Sequence, residues 1–163
     1  MKIGLGFDAH RLAAGRDLVL GGVKIPFARG LLGHSDADVL THSVMDAVLG
    51  ACALGDIGRH FPDTDAAYKG ADSLRLLALV RQKAAAAGWA VGNIDAVVMA
   101  EQPRLTPYFA EMREKIAGAL GIPAERVSLK ATTTEGLGFV GREEGIAAQA
   151  VVLMEEINET LAL

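Results

Sequence analysis

Apolar and polar positions along this chain switch between a period of two and a period near four, the mark of strands alternating with helices. Residues 1–9 read as a strand. Residues 17–26 read as a hairpin, in which Asp17-Leu18-Val19-Leu20 and Val23-Lys24-Ile25-Pro26 flank a Gly21-Gly22 pair suited to a primed turn. Over 36–54, Leu40, Val44, Ala47 and Ala51 form one helical face, and Met45 and Leu49 flank the neighbouring stripe. A helix apolar on both sides of its polar stripe belongs in the interior. Ser35 is its expected N-cap, with Asp38 three residues later in a loose capping box. Residues 55–65 form a polar loop. A second helix spans 73–87, capped near Asp72 or Ser73 and stopped by Gly88. A strand over 93–100 precedes a third helix that opens at Thr106-Pro107 and closes at Gly121. A strand over 126–131 and a nearly continuous apolar strand over 145–154 complete the order. The expected fold is α+β: one domain, 1–163, with a mixed sheet of about four main strands and helices mostly on one face.

The polar residues left inside this pattern carry the chemistry. A strand period of two puts Asp8 and His10 on one face. Asp38, His42 and Asp46 share one helix stripe. A carboxylate and two imidazoles from two rigid elements can hold a divalent metal, and a tetrahedral zinc with three protein ligands keeps its fourth position for water or substrate. The alternative is that His10 and His42 are hydrogen-bonded histidines near the core. Asp46 either orients His42 or is a buried hydrogen-bonded acid.

Composition narrows the classes. At 163 residues, 51% hydrophobic and 22% charged, the chain can bury a real core and is not disordered. A net charge of -4 argues against nucleic acid held through its phosphates. Cys52 is the only cysteine, so no intrachain disulfide can form, which fits a reducing compartment. No signal peptide precedes the first strand, and no apolar run reaches the roughly 18 residues of a membrane span. A cytoplasmic protein with no membrane partner is expected.

Three polar loops follow element ends, where sites tend to lie. His34-Ser35-Asp36 leads into the His42 helix, whose free amides and dipole suit a phosphate. The 55–65 loop carries three aspartates. Thr132-Thr133-Thr134-Glu135 offers hydroxyls and a carboxylate after a strand. Each also has a plainer reading, as a solvated loop or a strand end.

Taken together, GLGFDAHR from Gly4, LLGHSDADVLTHSVMDAVLGA from Leu31, GDIGRHFPDTD from Gly55, AEQPRL from Ala100 and KATTTEGLGFVGREEGIA from Lys130 resemble the 2-C-methyl-D-erythritol 2,4-cyclodiphosphate synthase family. These stretches cover nearly the whole chain in one order. The resemblance implies conversion of 4-diphosphocytidyl-2-C-methyl-D-erythritol 2-phosphate to the cyclic diphosphate, with release of CMP. It implies zinc on Asp8, His10 and His42, and a second ion, Mg2+ or Mn2+, held partly by Glu135. His34 and Ser35, with Asp56, Ile57, Gly58, Phe61, Pro62, Asp63, Thr64 and Asp65, match the methylerythritol phosphate side. Ala100, Glu101, Gln102, Pro103, Arg104, Leu105 and Thr106, with Thr132, Thr133, Thr134 and Glu135, match the cytidine diphosphate side. Arg104 stands where family members often have Lys. His34 and Thr133 match positions that stabilise the transition state, and Phe139 and Arg142 match a cavity on a trimer axis. A homotrimer with sites between subunits is implied, and the apolar strand over 146–153 suits burial on both faces. The chain is expected to end where a single-function synthase ends, without a cytidylyltransferase domain. A zinc-dependent phosphohydrolase and a non-catalytic trimer that binds an isoprenoid diphosphate are the alternatives.

Overall fold

The computed structural model describes residues 1–157, so residues 158–163 of the expected domain lie outside the described residues. The strands are β1 (Lys2–Ala14), β2 (Leu18–Leu20), β3 (Val23–Ile25), β4 (Arg29–Leu31), β5 (Trp89–Met99), β6 (Val127–Thr132) and β7 (Gly145–Glu156). The helices are α1 (Val39–Ala51), α2 (Ile57–His60), α3 (Ser73–Ala86), α4 (Phe109–Leu120) and α5 (Gly138–Gly141).

The fold is α+β with a five-stranded mixed sheet in the order β4-β1-β7-β5-β6, and β2 and β3 pair separately. Among the described residues only β5 and β6 run parallel; the other pairs are antiparallel. The expected four main strands are β1, β5, β6 and β7. The fifth, β4, is a three-residue edge with too little pattern to read from sequence. β1 runs past the expected end at residue 9 because no turn residue interrupts it before Gly15, at φ +73°. Its first part pairs with β7, and its last residues leave β7 to pair with β4.

α1 lies across β1 and β7, α3 packs against α1 and β5, and α4 packs against α3 and β6. Every residue of α1 except Asp46 and Gly50 is buried. Its start is set by Asp38 rather than Ser35: the Asp38 carboxylate accepts from the Thr41 amide at 3.0 Å and the Thr41 hydroxyl at 2.8 Å. The same carboxylate accepts from the amides of Gly21 (2.9 Å) and Gly22 (2.7 Å). Both glycines have positive φ, the type I′ geometry that Gly-Gly favours. One buried acid therefore ties the hairpin to the helix start and answers four donors, which makes its burial tolerable.

The third helix opens as a 3-10 turn at Thr106–Tyr108 that contains Pro107, and becomes regular only at Phe109. Gly121 ends it at φ +68°, as expected of a left-handed C-terminal residue. The opposite face of the sheet is different. Ile3, Leu5, Phe7 and Val151 stand exposed there, with Leu5 directly across the ladder from Val151. No helix among the described residues is long and apolar enough to cross a membrane.

Candidate active site

The Gly-x-Gly before Asp8 brings the site together. A Cβ on Gly4 would lie 1.8 Å from the Ala47 carbonyl oxygen, and one on Gly6 would lie 1.9 Å from that of Ser43. Only glycine lets α1 lie this close to β1. Asp8 and His10 continue the same strand face, so they meet His42 as it projects from the helix.

Three donor atoms converge. Asp8 Oδ2 is 2.9 Å from both His10 Nε2 and His42 Nδ1, and the two ring nitrogens are 3.2 Å apart. Tetrahedral zinc with ligand distances of about 2.0–2.1 Å places its ligand atoms about 3.3 Å apart. The trio is within a few tenths of an ångström of that spacing, and two imidazoles with one carboxylate suit a divalent cation. The residues fit a metal. Burial alone would raise the Asp8 pKa, but hydrogen bonds and charge from His10 and His42 hold it well below the usual carboxylate range. Burial also disfavours charge on His42, yet its hydrogen bond to Asp8 and the nearby carboxylates push its pKa up. Both directions mark a pocket in which Asp8 stays anionic and attracts positive charge.

The other ring nitrogen of His42 faces two hydroxyls, Ser73 Oγ at 3.0 Å and Ser35 Oγ at 3.1 Å. Ser73 opens α3 and in turn contacts Asp36. The sequence marked Ser73 only as a helix start and Asp36 only as a loop residue. Their meeting at His42 depends on how α3 packs on α1, which spacing cannot reveal. Asp46 does not orient His42. Its carboxylate accepts from the Ile57 amide at 2.8 Å and anchors α2.

A cavity of about 480 Å3 opens beside the trio, lined also by Gly33, His34, Ser35, Ile57, Gly58, Phe61, Pro62 and Asp63. His34 Nε2 lies 3.2 Å from the Asp65 carbonyl oxygen, which ties the 61–65 stretch to the wall. Asp56, Thr64 and Asp65 do not line the cavity. The Asp56 and Asp65 carboxylates accept from the Arg59 and Ala67 amides and shape the loop.

The remaining candidates lie elsewhere. A separate cavity of about 240 Å3 is lined by Ala100 through Thr106 with Ala131, Thr132 and Thr133. Beside it, Glu101 Oε1 accepts from the Thr134 amide at 2.8 Å and fastens one loop to the other. Glu135 is exposed at φ +54°, a left-handed conformation uncommon for a non-glycine residue. Its carboxylate is not part of the Asp8–His10–His42 group. Phe139 lines a third cavity, of about 290 Å3, and Arg142 pairs with Glu144 through two contacts of 3.0 and 3.1 Å. Within one chain, then, His34 and Thr133 face different cavities.

Residues 1–155 match the YgbB family. A 2-C-methyl-D-erythritol 2,4-cyclodiphosphate synthase from Geotalea uraniireducens (strain Rf4) is 60% identical over 155 residues, which is 95% of this chain and 99% of that protein. Among solved structures, the bifunctional IspDF from Campylobacter jejuni superposes with a TM-score of 0.94 at 45% identity; it covers 98% of this chain, which spans 43% of that longer one. A Plasmodium falciparum IspF–CDP complex superposes with a TM-score of 0.84 at 32% identity over 96% of this chain and 97% of its own.

Proposed function

Since the chain belongs to the YgbB family, we propose that its first two cavities are the two halves of one cyclodiphosphate synthase site. The relatives are named for making 2-C-methyl-D-erythritol 2,4-cyclodiphosphate; this chain acts as an isoprenoid-pathway lyase that closes 4-diphosphocytidyl-2-C-methyl-D-erythritol 2-phosphate to that product and releases CMP. The relatives are named for this cyclisation, not for phosphoester hydrolysis or ligand sensing.

The observation that carries the mechanism is the convergence of Asp8, His10 and His42 beside a cavity large enough for a sugar phosphate. These residues would hold zinc, which supplies a Lewis acid and an open position for a phosphate oxygen. Glu135 would hold part of a second divalent ion, Mg2+ or Mn2+, at the diphosphate. The nucleophile is the substrate's own 2-phosphate. A phosphate monoester has a second pKa near 6 and is largely dianionic at pH 7, so no protein base is required. The chain's task is to bring two anions together. His34 and Ser35, with Ile57, Gly58, Phe61, Pro62 and Asp63, seat the methylerythritol phosphate, and Asp56 and Asp65 hold the loop that carries them. The amides and carbonyls of 100–106 take cytidine, and Arg104 offers a fork where a Lys would offer a point charge. Thr132, Thr133 and Thr134 present hydroxyls to the diphosphate, and Thr133 and His34 stabilise its developing charge.

The two halves belong to neighbouring subunits of a homotrimer. The exposed apolar face of Ile3, Leu5, Phe7 and Val151 supports this, because a contiguous patch of that kind on a sheet is an association surface. Phe139 and Arg142 then sit near the three-fold axis.

Phosphorus NMR of the purified protein with the cytidylated substrate tests the reaction. Cyclic diphosphate and CMP are expected; inorganic phosphate, or no turnover with zinc and magnesium present, contradicts it.

A further inference from the structure

We propose that Ser73 is a positioning residue for the metal centre: its oxygen, polarised by Asp36, keeps a proton on His42 Nε2, so that Nδ1 is the nitrogen that a metal beside Asp8 and His10 would bind. The inference rests on the metal reading above and names a group that reading does not use. Ser73 is fully buried, and its hydroxyl has one proton. That proton points to Asp36 Oδ1, while Asp36 Oδ2 accepts from the Ser73 amide at 2.9 Å. Asp36 Oδ1 also accepts from the Asp38 amide, so both carboxylate oxygens act as acceptors, and Asp36 accepts the serine's hydrogen bond and offers none in return. The Ser73 oxygen therefore meets His42 Nε2, 3.0 Å away, with lone pairs only. Nε2 must carry the hydrogen, so once a cation replaces the proton that Nδ1 shares with Asp8 Oδ2, 2.9 Å away, the lone pair of the ring is left on Nδ1.

Ser35 cannot set this polarity. Its oxygen lies 3.1 Å from the same Nε2 and accepts from the Ala37 amide at 3.3 Å, but no carboxylate claims its proton. Ser35 can act as donor or acceptor; Ser73 is fixed as an acceptor. The chain Asp36–Ser73–His42 thus does for this site what a carboxylate does for many metal-bound histidines, one hydroxyl further out.

The test is Ser73→Ala, which removes the acceptor at the first turn of α3 and leaves a residue that helices favour. Zinc is titrated against a competing chelator, the metal-free protein is melted, and exchange of the His42 Nε2 proton is followed by 15N NMR in the zinc form. Zinc affinity should fall about tenfold, the metal-free melting temperature should hold, and the Nε2 proton should exchange faster. Unchanged zinc affinity overturns the proposal, as does a loss of affinity with no change at the Nε2 proton. A wild-type protein that takes up no zinc overturns the metal reading instead, so the two failures are told apart.

Discussion

The cavity beside Asp8 and the cavity beside Thr133 are built on opposite principles. In the first, the working atoms are side chains on a strand and a helix, crossed by hydrogen bonds from Ser35, Ser73 and each other. His42 is 7% exposed. In the second, they sit on loops after β5 and β6, and Thr132, Thr133, Arg104 and Glu135 are exposed. The first is finished within one chain; the second presents its groups outward. A metal demands fixed donors within tenths of an ångström, which rigid elements supply. A nucleotide can be gripped largely by backbone and closed over by a neighbour.

That contrast can be broken by mutation, and the effects should fall in order. Asp8→Asn should be the most severe. Losing a direct ligand should cost zinc affinity more than the roughly 100-fold that marks the upper end for an outer partner, with the fold intact by circular dichroism. An Asn variant that keeps zinc and full activity would remove Asp8 from the centre. Thr133→Ala should lower kcat about 100-fold with little change in KM, the pattern of a donor used in the transition state. A change confined to KM would make Thr133 a binding residue only. Zinc content should be unaffected, since Thr133 belongs to the other cavity.

Smaller effects probe the supports. Gly6→Ala pushes a methyl into the Ser43 carbonyl, so α1 must move off β1. Overpacking of this kind costs about 1–3 kcal/mol, and zinc affinity should drop with stability, both read from melts with and without metal. Unchanged stability would mean that the helix has more room than the 1.9 Å approach allows. Glu101→Ala should release the Thr132–Glu135 loop and raise KM about tenfold, the share of one charge-assisted hydrogen bond. Zinc affinity should stay the same, and a fall in it would blur the division between the cavities.

The first cavity was also the more legible one. Periods of two and four place Asp8, His10 and His42 on two faces, and those faces meet because Gly4 and Gly6 allow it. What the spacing missed was the third element: Ser73 reaches His42 only through the packing of α3 on α1, and local pattern does not carry that. It also misplaced caps. Ser35 and Asp38 both suit a helix start, and the choice fell to Asp38 because the hairpin amides of Gly21 and Gly22 needed the same carboxylate. The short edge β4 and the turn of helix at Ile57–His60 are too brief for any periodicity. Most of the second cavity was legible only through family resemblance, since Ala100, Pro103 and Leu105 have no chemistry of their own to announce.

The shared site is the central claim, and subunit mixing tests it directly. An Asp8→Ala chain and a Thr133→Ala chain, each retaining about a hundredth of wild-type activity or less, are dissociated and reassembled in equal amounts. Random assortment makes about three-quarters of the trimers mixed, and each mixed trimer holds one of three pockets with both halves unmutated. About a quarter of wild-type activity should return. If the subunits demonstrably exchange and activity stays at the level of the parents, the two cavities are not halves of one intersubunit site.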